Sequence, residues 1–194
     1  MNEFQFYVKE GFYHVIDHTA YDHILFFVLM AVPLTFNSWK KLLWVSLAFT
    51  LGHTASIVLA VYDVVAVNSN YIEFLIVASI FVTGIYNLLI SGKPTAQLSR
   101  WFMVMFTAFF GLIHGFGFAS AFKMLSSGTE SKWLLLLEFA LGIELGQLFV
   151  VAVVLVLAAF LINLLRVSRK SWITVTSAII VGIVLPLLVE RWPF

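Results

Sequence analysis

The chain has no cysteine, which excludes disulfides, thiolate metal sites and thiol catalysis, and leaves any metal to nitrogen and oxygen ligands. It is also poor in charge. Only 11% of its 194 residues are Asp, Glu, Lys or Arg, against 62% hydrophobic, and the formal net charge is +1. No basic run resembles a nucleic-acid-binding patch, so no nucleic-acid partner is expected. A nucleotide-binding glycine loop, an HExxH-type spacing and a G-x-S-x-G turn are all missing, and with them the usual marks of an ATP-driven pump, a zinc hydrolase and a serine hydrolase. The start, MNEFQFYVKEGF, lacks the basic n-region and apolar h-region of a cleavable signal. The first span is therefore expected to act as its own insertion signal.

What fills the chain is membrane hydrocarbon. The mean hydropathy is +1.02, and six apolar runs lie near Asp22–Phe36, Leu42–Val67, Tyr71–Ile90, Trp101–Leu125, Trp133–Leu165 and Trp172–Val189. Most reach the roughly 20 residues a bilayer crossing needs, and the first continues a more polar helix that begins about Gly11. The connections NSWKK, NSN, SGKPTAQLSR, KMLSSGTESK and RVSRKS are short and polar. Backbone polar groups cannot stay unpaired in lipid, and runs of this length are helices rather than barrel strands. The expectation is an all-α, polytopic membrane helical bundle of about six transmembrane helices, a single domain over residues 1–194. Lys40, Lys41, Lys93, Arg100, Arg166, Arg169 and Lys170 sit on the first, third and fifth connections. By the positive-inside rule these are cytoplasmic and both termini are extracytoplasmic. The tryptophans cluster at the expected span ends, as interfacial anchors do.

In such a chain an ionisable side chain at depth needs a reason, because a charge near a helix centre costs about 2.5–3.5 kcal/mol. His14, Asp17, His18, Asp22 and His23 fall at the outer entrance of the first helix, and Glu73 just inside the outer end of the third. His53 lies about a dozen residues into the second span and His114 about as far into the fourth. Glu138, Glu144 and Gln147 descend through the fifth. The inner half offers only weak groups such as Thr50, Asn87 and Thr107. At about 100° per residue, His14, Asp17, His18 and Asp22 share a stripe while His23 points nearly opposite His14. Either the helix breaks near Thr19–Ala20, or His23 reaches a separate inner site while His14 and Asp17 guard an entrance.

The intramembrane histidines sit among small residues: Thr50, Gly52, Thr54 and Ser56 around His53, and Gly111, Gly115 and Gly117 around His114. The pairs Gly111/Gly115 and Gly142/Gly146 have the small-xxx-small spacing of tight helix crossings. Such crossings would bring the imidazoles to Glu138, Glu144 and Gln147, which need partners that only histidine or a bound cation can supply. Phe49 to His53 and Phe110 to His114 also share an F-x-L-x-H pattern, each followed by a Glu (Glu73, Glu138) in the next helix. This echo suggests two hairpins that face each other.

Taken in order, these residues resemble the second branch of the HupE/UreJ family of bacterial hydrogenase- and urease-accessory membrane proteins. The matching elements are Gly11 to His14, Asp22-His23, Phe49-Thr50 to His53-Thr54, Glu73, Phe110 to Ala119, and Gly142 to Gln147. The resemblance implies a nickel or cobalt permease in the bacterial inner membrane. With the residues at depth added to those matched elements, its metal ligands are expected among His14, Asp17, Asp22, His23, His53, His114, Glu138 and Glu144, with His18, Glu73, Thr54 and Gln147 along the pathway or behind the ligands.

The residue chemistry agrees on a cation. Imidazole with carboxylate suits Ni²⁺, Co²⁺ or Zn²⁺ better than Ca²⁺ or Mg²⁺. In a permease the outer group would capture and partly dehydrate the ion, His23, His53, His114, Glu138 and Glu144 would replace its water, and Asp22 would ligate it or orient His23. The alternatives are an intramembrane metal-dependent hydrolase, with an open ligand position and a Glu base, and a metal-binding sensor or assembly protein. The expected partners are lipid and the divalent ion, with a homo-oligomer left open.

Overall fold

The computed structural model describes residues 2–17, 21–92, 100–127 and 131–193. The helices are α1 (Glu3–Ile16), α2 (Asp22–Ala31), α3 (Trp39–Val61), α4 (Ser69–Ile90), α5 (Arg100–Leu125), α6 (Lys132–Ala159) and α7 (Arg169–Glu190). A 3-10 turn, Phe36–Ser38, leads into α3, and a π-helical turn, Phe160–Leu164, extends α6. No strand occurs among the described residues. Five helices, α3 to α7, are long and apolar enough to cross a membrane, and the chain is a multi-pass helical membrane protein.

The first expected span differs from the hydrophobic pattern in two ways. It begins at Glu3 rather than about Gly11, because Asn2 accepts from the Gln5 backbone N–H at 2.8 Å while the Gln5 side chain accepts from the Asn2 N–H at 3.4 Å. That reciprocal cap satisfies two free donors of the helix start. The span is also broken. α1 ends at Ile16, Asp17 is extended (φ −62°, ψ 118°), and α2 begins at Asp22. The ten residues of α2 rise about 15 Å, half of a bilayer core, so α2 by itself is too short to cross one. His18, Thr19 and Ala20 lie outside the described residues.

A second correction concerns the run expected to reach Val67. α3 stops at Val61 because Asp63 takes a left-handed backbone conformation, φ 55°, which no helix continues. The Val64 N–H folds back onto the Leu59 carbonyl at 2.9 Å.

Helix pairing follows the glycines. A Cβ on Gly52 would overlap the Ala108 carbonyl oxygen, one on Gly111 the Phe49 carbonyl, and one on Gly115 the His53 carbonyl. Later residues of α3 meet later residues of α5, so these two helices run parallel, backbone against backbone. α1 and α6 do the same. Gly11 faces the Phe139 carbonyl, Gly142 the Val8 carbonyl, and Gly146 lies 2.9 Å from Val15 Cβ in the same sense. α4 and α7 pair through side chains instead, in antiparallel order, with Phe74 against Trp192 at one end and Gly92 near Lys170 at the other.

α2 hangs from the rest at its C-terminal end. Pro33 has no N–H to offer the Leu29 carbonyl four residues back, and Asn87 of α4 supplies the missing donor, Nδ2 to Leu29 O at 2.7 Å. Arg169 of α7 donates to the Pro33 carbonyl at 2.6 Å, a cation at a helix C-terminus where the dipole favours one.

Candidate metal centre

Four imidazoles meet where α1, α2, α3 and α5 converge. The ring centroids of His14 and His23 are 4.7 Å apart, those of His14 and His53 5.7 Å, His23 and His53 5.6 Å, and His23 and His114 5.1 Å. One ring nitrogen each from His14, His23 and His53 lies within 4.8 Å of the others. The break after Ile16 makes this possible: a straight helix would aim His14 and His23 in nearly opposite directions. The α3–α5 glycine contacts do the rest, since Gly115 seated on the His53 carbonyl leaves no slack between the backbones that carry His53 and His114.

Two tautomers follow from the neighbours. His114 Nδ1 lies 2.9 Å from the Phe110 carbonyl oxygen, which only accepts, so Nδ1 carries the proton and Nε2 the lone pair. His23 Nδ1 lies 3.0 Å from Asp22 Oδ1, and that carboxylate imposes the same tautomer while also accepting from the His23 backbone N–H at 2.8 Å. A carboxylate or carbonyl behind one ring nitrogen, with the other left free, is how proteins present histidine to a metal. The free nitrogens are indeed without partners: His14 Nε2, His23 Nε2, both nitrogens of His53 and His114 Nε2 are buried and unbonded. Leaving such groups desolvated costs about 1–3 kcal/mol each. A cation is an occupant that one lone pair from each of the four rings can serve, the other nitrogen of a neutral His53 being an N–H.

The surroundings are aromatic. Phe118 lies tilted against His14 with ring centroids 4.0 Å apart, and Phe139 is at 5.8 Å. On the side toward the start of α3, Phe49 lies 5.7 Å from His23 and 5.2 Å from His114, and Phe26 is 5.5 Å from His114. Phe26 and Phe49 are fully buried, and together with Phe110 they make a floor under the imidazoles. Sequence reading missed this floor. The signal was the Phe four residues before each of His53 and His114, on the same helix face.

The other expected site residues are scattered by comparison. Asp17 is half-buried at the end of α1, Thr54 is half-buried beside His53, and Glu73 is exposed on α4. Glu138 is buried on α6, next to Phe139. Glu144 and Gln147 turn toward α3, where Glu144 accepts from Thr50 Oγ1 at 2.6 Å and Gln147 from Ser46 Oγ at 2.8 Å. His18 lies outside the described residues.

An ion bonded to nitrogen at about 2.0–2.2 Å sets neighbouring ligands about 3–3.5 Å apart, so the imidazoles must close by about 1–2 Å to grip one. Their spacing suits capture with small side-chain rotations. Residues 1–191 match the family described as HupE / UreJ protein. No curated protein and no solved structure matches the chain.

Proposed function

The chain belongs to the HupE / UreJ family, and on that premise we propose that it is a divalent transition-metal permease of the bacterial inner membrane, carrying nickel or cobalt, with zinc the next best fit. The observation that carries this reading is the set of buried, unbonded imidazole nitrogens of His14, His23, His53 and His114. Neutral imidazole prefers late first-row ions, and Asp22 contributes negative charge to offset theirs. In the orientation expected from the positive-inside rule, the cluster lies in the outer half of the bundle and accepts ions from outside. Asp17 and the half-exposed edge of Asp22 draw the hydrated ion in, and the four rings replace its water. A hydrolase is the weaker reading, because the carboxylate bonded into the cluster, Asp22, is committed to His23 and is not free to act as a base.

The test is element-resolved metal analysis of the purified protein followed by uptake into vesicles. Bound nickel or cobalt with inward flux, and loss of both in His114→Asn, is the expected result. Bound metal without flux would overturn the permease in favour of a sensor or assembly protein.

A further inference from the structure

A second polar group lies inward of the histidines, on the seam between α3 and α6. Ser46, Thr50 and His53 stand at helical spacing and share a face of α3, stepping inward from His53 by about 4.5 and then 6 Å. Thr50 donates to Glu144 at 2.6 Å and Ser46 donates to Gln147 at 2.8 Å. Gln147 has no exposed surface, and its Nε2 has no partner. Packing alone would not favour this arrangement. A carboxylate at membrane depth answered by a neutral hydroxyl, beside a carboxamide with one end unbonded, is costly in lipid. The direct way inward from the imidazoles is closed by the Phe26, Phe49 and Phe110 rings, and the α3–α6 seam is a polar way around that floor.

The donor atoms differ from those of the histidine cluster in a useful sense. Imidazole nitrogens hold late first-row ions tightly, whereas carboxylate, hydroxyl and amide oxygens hold them more loosely, and an ion in transit needs a site it can leave. We infer that Glu144, Thr50, Ser46 and Gln147 form a second, all-oxygen cation station, which takes the divalent ion from the histidine cluster on its way inward. Turning the Gln147 carboxamide over lets Nε2 donate to Ser46 and presents Oε1 to the seam. This inference rests on the permease reading.

The probe is nickel, bound to the purified full chain and transported into vesicles. Glu144→Gln keeps the side-chain volume and the acceptor for Thr50 but removes the charge. It is expected to leave nickel affinity at the histidines within about threefold of wild type while lowering flux by about 100-fold. Thr50→Val should lower flux as well, and Thr50→Ser should restore it. Unchanged flux in Glu144→Gln overturns the station. Equal loss of binding and flux also overturns it, because Glu144 then belongs to the histidine site. If His114→Asn binds nickel like wild type, or wild-type vesicles show no flux, the permease reading falls and the station with it.

Discussion

The bundle joins its helices in two opposite ways. α3 with α5, and α1 with α6, meet backbone to backbone across glycine, whereas α4 and α7 meet through side chains. Backbone contact has no adjustable part: it fixes distance, rotation and register together, and the His53 and His114 rings inherit that rigidity. A side-chain seam yields by a rotamer change. His14, His53 and His114 lie on the rigid pairs and His23 is brought to them by α2, so close packing serves here to aim three of the four imidazoles as well as to hold helices together.

The sharpest way to break this contrast is to add one side chain to each kind of seam. Gly115→Val forces a side chain against the His53 carbonyl and Ser56 Oγ, and should destabilise by more than the 1–3 kcal/mol usual for overpacking, since backbone cannot rotate away. Gly84→Ala in the α4–α7 seam brings its Cβ to 2.6 Å from Val181 Cγ2, the end of a side chain that can turn aside, and should cost about 1 kcal/mol or less, offset in part by helix propensity. Thermal unfolding in detergent reads both. Similar losses in the two variants would remove the distinction.

Next in size is the difference between a ligand and the group that orients it. His114→Ala removes a lone pair from the cluster and should abolish measurable nickel binding. Asp22→Asn keeps a hydrogen-bond acceptor behind His23 and should weaken binding by about 10- to 100-fold. Calorimetric titration with nickel separates the two, and equal effects would make Asp22 a direct ligand.

A smaller effect is expected where α2 is hung from α4. Asn87→Leu leaves the Leu29 carbonyl buried without a donor, a loss of about 1–3 kcal/mol. Pro33→Ala returns an N–H four residues along, so the double variant should recover most of that loss. If it recovers none, Asn87 matters for packing and not for the carbonyl.

The smallest effect belongs to the exposed connection after α3. The Lys123 ammonium, 2.6 Å away, holds the Asp63 carboxyl below the usual carboxylate range. A depressed folded-state value stabilises above the unfolded value, near pH 4, and that contribution fades as pH falls through the folded one. Both groups are solvated, so Asp63→Asn should shift the melting temperature only slightly at neutral pH, and not at all once the carboxyl is protonated. A large shift at neutral pH would mean that this pair clamps α3 to α5.

Much of the fold was legible because lipid imposes local rules. A long apolar run must be a helix wherever it occurs, and the small-residue spacings at Gly111/Gly115 and Gly142/Gly146 marked the close crossings in advance. The errors came at helix ends, where a few residues decide: the Asn2–Gln5 cap added two turns to α1, and one left-handed residue, Asp63, ended α3 early. The break between α1 and α2 was one of two readings the helical wheel left open. Choosing between them required knowing what packs against each half.

Composition and periodicity alone determined that this chain crosses a membrane as helices and that any ion it holds meets nitrogen and oxygen, because both depend on which residues are present and how far apart they lie in sequence. Tertiary structure alone decided that His14 and His23 face each other across a broken helix, and that Glu144 and Gln147 leave the histidines for Thr50 and Ser46. Those are distances between residues nine to about a hundred positions apart. They are set by which backbones can touch, and glycine contacts between helices far apart in the chain determine that.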